Sequence, residues 1–135
     1  MIIDRIKVHN KLNQKCAYCG ECITLKEMQV DHVIPKAFFE RYTEVRRDFI
    51  PLFLKHLTSE DVNHIDNLHP SCRVCNKWKS AHHLELFRSE LQEQVKRLNL
   101  YSSNYRIAKK FGMIKEAVKP IVFYFEELKP TYPKI

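Results

Sequence analysis

The sequence predicts a small α+β fold, stapled by a four-cysteine zinc site and extended by C-terminal helices and a terminal strand. Three observations carry this. Two C-x-x-C pairs, Cys16-Ala17-Tyr18-Cys19 and Cys72-Arg73-Val74-Cys75, supply the four thiolates of a closed tetrahedral zinc site. Leu84, Phe87, Leu91, Val95 and Leu98 recur at helical spacing. Ile121-Val122-Phe123-Tyr124-Phe125 follows Pro120 and is rich in strand-forming residues.

Taken in order, the segment before Cys16 gives no firm pattern. Met28 and Val30 alternate with polar neighbours, which predicts a short strand over residues 28–32. A helix is expected over 37–49, stopped by Pro51. The apolar run 49–54 reads as added core, and Ser59 with Glu60 and Asp61 behind it reads as a helix start. An amphipathic helix is expected over 81–100. A second begins at Ser102 or Ser103 and ends near Gly112, a residue type favoured just past a helix end. The strand at 121–125 closes the list. No repeat, low-complexity tract or linker interrupts the chain. It reads as one domain over 1–135, with a motif-bearing core at about 16–80 and a helical extension at about 81–135.

The chain has 135 residues, with 23 Lys plus Arg against 16 Asp plus Glu, a formal net charge of +7. That surplus favours polyanionic partners, nucleic acid above all, although solvated basic surface gives the same count. No apolar run is long enough for a membrane span, and the first fifteen residues lack the apolar middle of a signal peptide. The expected compartment is cytoplasmic and reducing, so five cysteines argue for a metal site with one thiol left over rather than for disulfides. Cys22 is the spare, though Cys19-Gly20-Glu21-Cys22 is itself a C-x-x-C and leaves Cys22 open as a substitute ligand. The run Cys16, Cys19, Cys22 has iron–sulfur spacing but lacks the nearby fourth Cys and following Pro. A closed four-thiolate site leaves zinc no open position, so this Zn²⁺ holds structure and does no chemistry.

Clamping the two cysteine pairs together gathers Asp31-His32-Val33-Ile34-Pro35, Asp66-Asn67-Leu68-His69-Pro70 and Asn76-Lys77-Trp78-Lys79-Ser80. The series D-H-x-x-P, N-L and C-x-x-C-N-x-x-K resembles the zinc-knuckle HNH endonucleases, over about half the chain. That resemblance implies a ββα core around a metal and cleavage of DNA to 5′-phosphate and 3′-hydroxyl ends. It makes His32 the general base and Asn67 the brace of the loop that carries it. Asp31 and Asn76 become ligands of a catalytic Mg²⁺ or Mn²⁺. Asn76 stands where many members have His, as it does in the HNH domain of RNA-guided CRISPR nucleases, and an amide oxygen suits Mg²⁺. Since Asp31 and His32 are adjacent, a strand would point them to opposite faces, so a bulge or strand end must re-aim one.

Lys36, Arg73, Lys77 and Lys79 flank these motifs as candidate phosphate contacts, with Lys79 matching the family's C-N-x-x-K. Simpler readings compete: Asn67 as a turn residue, Asn76 as a helix N-cap, Trp78 as core rather than a base-stacking platform. His69, His82 and His83 are weaker substrate contacts, and His56 and His64 are unassigned. The stretch 36–66, with Arg41, Arg46 and Arg47, is long for such a core, and the usual Gly-containing turn is missing. Two other readings remain: a catalytically silent zinc module that binds nucleic acid, and a nuclease subunit that works only beside a partner protein. A homodimer is left open.

Overall fold

The computed structural model describes residues 2–40 and 47–128. The chain divides into two compact units, Met1–Phe87 with Val122–Ile135, and Arg88–Ile121, although the sequence shows no linker between them. Among the described residues no helix is long and apolar enough to cross a membrane.

The first unit is α+β. Helix α1 (Arg5–Lys11) is capped by Asp4, whose carboxylate accepts from the Lys7 amide. It buries Val8, while the Lys11 ammonium donates to the carbonyls of Ile65, Asp66 and Leu68 at 2.8, 3.3 and 2.9 Å. Strands β1 (Gln29–His32) and β2 (Leu68–Ser71) pair antiparallel, with Val30 opposite Pro70, Asp31 opposite His69 and His32 opposite Leu68. Pro70 has no N–H for the ladder, and its carbonyl accepts from Ala17 instead. Helix α3 (Arg73–Lys79) follows β2 directly, so the local order is strand, strand, helix.

Between the strands lies α2 (Lys36–Glu40), then 3-10 turns at Leu52–Leu54 and Ile65–Asn67. Val33, Ile34, Phe39, Ile50, Leu54 and Leu57 form one buried cluster here. Each such side chain contributes roughly 1.5–3 kcal/mol on burial. The apolar run therefore splits: Ile50, Pro51 and Leu54 are core, whereas Phe49 and Leu52 are about half exposed. Of the expected helix at 37–49, residues 37–40 are helical, and 41–46, with Arg41 and Arg46, lie outside the described residues. Ser59 starts no helix. The Asp61 carboxylate accepts from the amide and hydroxyl of Thr58 and closes a tight turn.

Two C-terminal expectations are corrected. The long helix is two pieces, α4 (Leu84–Gln92) and α5 (Gln94–Tyr101), because Glu93 leaves the helical pattern and its amide reaches only Glu90. The strand at 121–125 does not form. The amides of Tyr124 and Phe125 bond the carbonyls of Tyr18 and Ala17, and α7 (Tyr124–Leu128) begins there. Phe123 and Phe125 are buried against the Tyr18 ring.

In the second unit α5 is followed by α6 (Ser103–Lys110), whose cap is the Ser102 hydroxyl accepting from Tyr105. Gly112, at φ +75°, follows the end of α6. Glu116 accepts from Asn99, Tyr105 and Lys109, and these bonds hold its carboxyl down at about 2, with the Lys109 bond contributing most.

Candidate metal centre and cleft

The knuckle begins as a tight turn. Lys15 bridges Cys22, the Cys16 amide donates to the Glu21 carbonyl at 2.8 Å, and Gly20 turns the chain at φ +77°. A side chain at Gly20 would also approach the Tyr124 ring, so both the backbone and the space favour glycine. Ala17 donating to Pro70 ties this turn to β2, which delivers Cys72 and Cys75 at the start of α3.

The sulfurs of Cys16, Cys19, Cys72 and Cys75 all lie within 4.8 Å of one another. Tetrahedral zinc with Zn–S bonds of about 2.3 Å places its sulfurs about 3.8 Å apart. Cys19 and Cys72 are separated by 3.8 Å. Without an ion the crowded thiols oppose one another's ionisation. Hydrogen bonding from Cys75 holds Cys16 down at about 4, while burial pushes Cys19 up to about 11 and the Cys16 contact pushes Cys75 up. Thiols this crowded ionise together only with a positive ion among them, and all-sulfur donors in this geometry fit zinc. Cys22 is exposed and outside the cluster.

One side of α3 and the end of β1 meet at an open cleft of about 440 Å³, lined by Asp31, His32, Pro35, Lys36, Asn76, Ser80 and others. Asp31 and His32 are the last two residues of β1, paired without a bulge, and both line this cleft.

Asp31 is only 4 % exposed. Its carboxylate accepts from the Tyr18 hydroxyl, and the Lys79 ammonium lies 3.3 and 3.2 Å from its two oxygens. Burial pushes the Asp31 carboxyl above its ordinary range and the Lys79 ammonium below its own, each opposed by the other's charge. Tyr18, fully buried and beside a carboxylate, is held well above its ordinary value and stays a donor. Sequence reasoning missed Tyr18, which sits inside the C-x-x-C pair and links the cysteine cluster to the cleft. The only signal was a polar aromatic between two metal ligands.

His32 is half buried, and its Nε2 lies 2.8 Å from the Asn63 amide oxygen. Burial holds its pKa below the ordinary 6.5. Asn67 is fully buried and does not line the cleft. Its amide oxygen accepts from the Ile34 amide at 2.7 Å, and its Nδ2 donates to the carbonyls of Ile34 and Val62. It thereby holds the loop leaving His32. Asn76 is not a helix cap. The Cys72 sulfur fills that role by accepting from the Cys75 amide, which leaves the Asn76 side chain at the cleft.

The basic residues separate. Lys36, Arg73 and Lys77 are exposed. Lys79 is fully buried, donating to Asp31 and to the His32 carbonyl at 2.9 Å, so it is corrected from a phosphate contact to a core cation. Trp78 is 47 % exposed and lies on the surface of α3 rather than in the core. His69 is buried between Phe53, Phe125 and Tyr18. His83 stacks on Phe49, and His56 and His64 share Asp66 away from the cleft.

Compared with protein-family models, with curated proteins and with solved structures, the chain matches none.

Proposed function

We propose that this chain is a metal-dependent DNA endonuclease of the HNH type, in which a zinc-held knuckle positions a one-histidine hydrolytic cleft. The observation that carries the reading is the shared lining of one open cleft by Asp31, His32 and Asn76. It stands on the frame of two antiparallel strands and a helix that the four-cysteine cluster clamps.

Hydrolysis of a phosphodiester needs a base for water and relief of charge at phosphorus. His32 takes a proton from water as the water oxygen bonds to phosphorus. The P–O3′ bond breaks, and the 3′ oxygen leaves with the electron pair and takes a proton from solvent. The low pKa of His32 keeps it unprotonated at neutral pH and ready to accept. Asn67 keeps the following loop in place, which fixes where that base stands.

The donors at the cleft suit a hard cation. Asp31 offers a carboxylate and Asn76 an amide oxygen, and Mg²⁺ commonly takes one or two protein oxygens with water and phosphate completing its shell. When bound by Asp31 and Asn76, Mg²⁺ or Mn²⁺ supplies Lewis-acid stabilisation of the departing oxygen. Lys36, Arg73 and Lys77 remain as surface cations for the DNA backbone.

One observation favours a second reading. Both Asp31 oxygens face Lys79, so Asp31 also works as a buried structural anchor. A silent nucleic-acid-binding module, or a subunit whose partner loosens this pair, would use it that way. Incubation with supercoiled plasmid, with and without Mg²⁺, separates them: the endonuclease relaxes or linearises plasmid only with the metal. A protein that binds DNA yet never cuts is the silent module or the partner-dependent subunit.

A further inference from the structure

The long stretch between the two strands contributes a side chain to the His32 ring. Asn63 lies in the turn before Ile65–Asn67, 31 residues beyond His32 in sequence. Its Oδ1 is 2.8 Å from His32 Nε2. An amide oxygen has no proton to give, so in this contact Nε2–H is the donor. A neutral imidazole carries one proton, so with Nε2 protonated, Nδ1 holds the lone pair.

We infer that Asn63 is the positioning residue for His32: it fixes the ring's orientation and tautomer, so that Nδ1 is the nitrogen that receives the proton from water. This rests on the endonuclease reading for its catalytic meaning, while the ring geometry stands by itself.

Three further facts support the assignment. Asn63 does not line the cleft of Asp31 and Asn76. It lies with Lys36, Phe39, Ser59 and Val62 around a separate depression, so the Nε2 edge of the ring is turned toward Asn63. Among the described residues, Asn63 is the partner of the His32 ring in hydrogen bonding, and Nδ1 has none. The turn that carries Asn63 is itself held, because the Val62 carbonyl accepts from Asn67 Nδ2 and the Asn67 amide bonds the His64 carbonyl. Asn67 thus braces both sides of the contact, the loop after His32 and the turn with Asn63. Neither residue needs to touch substrate to set the base. The 36–66 stretch is then more than added core: its last turn orients the reacting ring.

The chemistry follows from the atoms. Nδ1 accepts the water proton while Nε2–H stays bonded to Asn63, so the imidazolium that forms has both protons accounted for. In the same orientation the other neutral tautomer, protonated on Nδ1, would leave an unprotonated Nε2 facing Asn63 Oδ1, two acceptors in contact. That clash selects the tautomer protonated on Nε2.

The test uses full-length zinc-loaded protein with ¹⁵N-labelled histidine, as parent, Asn63→Leu and Asn63→Asp. Leu keeps the shape without the acceptor, and Asp keeps an acceptor at the same place. Zinc content and circular dichroism confirm that each is folded. In the parent, ring ¹⁵N signals report Nε2 protonated and Nδ1 unprotonated, with an Nε2–H protected from exchange. Asn63→Leu loses that protected proton and Asn63→Asp retains it. In plasmid nicking, Asn63→Leu lowers kcat by roughly tenfold to a hundredfold with KM unchanged, the scale expected from misplacing a reacting group, and Asn63→Asp recovers most of it. A parent ring protonated on Nδ1, or Asn63→Leu cutting at the parent's rate, overturns the assignment. A parent that shows the expected ring signals but cuts nothing supports the contact and instead overturns the endonuclease reading.

Discussion

His32, Asp31 and Lys79 show how one small cluster divides its work. His32 sits at the strand end with its base form favoured by burial. The sign of the pH effect follows. Below its pKa the imidazole is protonated and cannot accept, so cleavage is lost as pH falls through a value below the ordinary 6.5. A rate profile measured under saturating Mg²⁺ has its acid limb there and is flat through neutrality. An acid limb above 7 would show that another group limits the reaction. Lys79 gives the second prediction at this scale. It is fully buried on a buried carboxylate. Removing one partner of such a pair leaves an uncompensated charge, so Lys79→Met costs about 3–5 kcal/mol. Adding Asp31→Asn recovers part of that loss in a double-mutant cycle. Denaturant unfolding measures both, and a Lys79→Met midpoint equal to the parent's refutes the account of Lys79 as a core cation.

The elements show which features a sequence exposes. The cysteine pairs were legible because metal ligation imposes short-range spacing, and the four sulfurs do converge. The strand around Asp31 was legible from Met28 and Val30, although the residue it buries is Asp31 and Val30 stays partly exposed. The C-terminal strand was misread because β-forming residues report burial as well as pairing. Phe123 and Phe125 go into the core through the Tyr18 ring without any strand partner. Lys79 was misread because a motif position says nothing about solvent, and only the fold places its ammonium on Asp31. Asn63 was invisible because its partner lies far away in sequence. The cysteine element carries its own prediction. Cys75→Ser loses the single bound zinc and with it the fold, because binding energy at such a site is folding energy. Cys22→Ser keeps both, since Cys22 is exposed and outside the cluster. Metal analysis and circular dichroism on the two variants decide it, and a zinc-free parent contradicts the assignment.

At the scale of the whole molecule, the proposed endonuclease reading assigns the +7 charge and the exposed cations on α3 to the DNA backbone. Duplex affinity falls with salt as counterions are released. Arg73→Ala and Lys77→Ala each flatten the salt slope by roughly one unit, equally across sequences. Lys79→Ala does not act this way, because its ammonium never reaches solvent. Fluorescence titrations over a salt series read both, and an affinity independent of salt excludes a phosphate-dominated surface.

The central claim is that His32 is the base in a cleft held by the cysteine cluster, and plasmid relaxation by His32→Ala tests it most directly. Zinc is kept in place, Mg²⁺ is varied, and DNA binding is measured on the same samples. A general base contributes to the transition state and little to ground-state binding. The account predicts cleavage by the parent only with Mg²⁺ and almost none by His32→Ala, with zinc content, fold and DNA affinity unchanged. A His32→Ala variant that cuts as fast as the parent contradicts it.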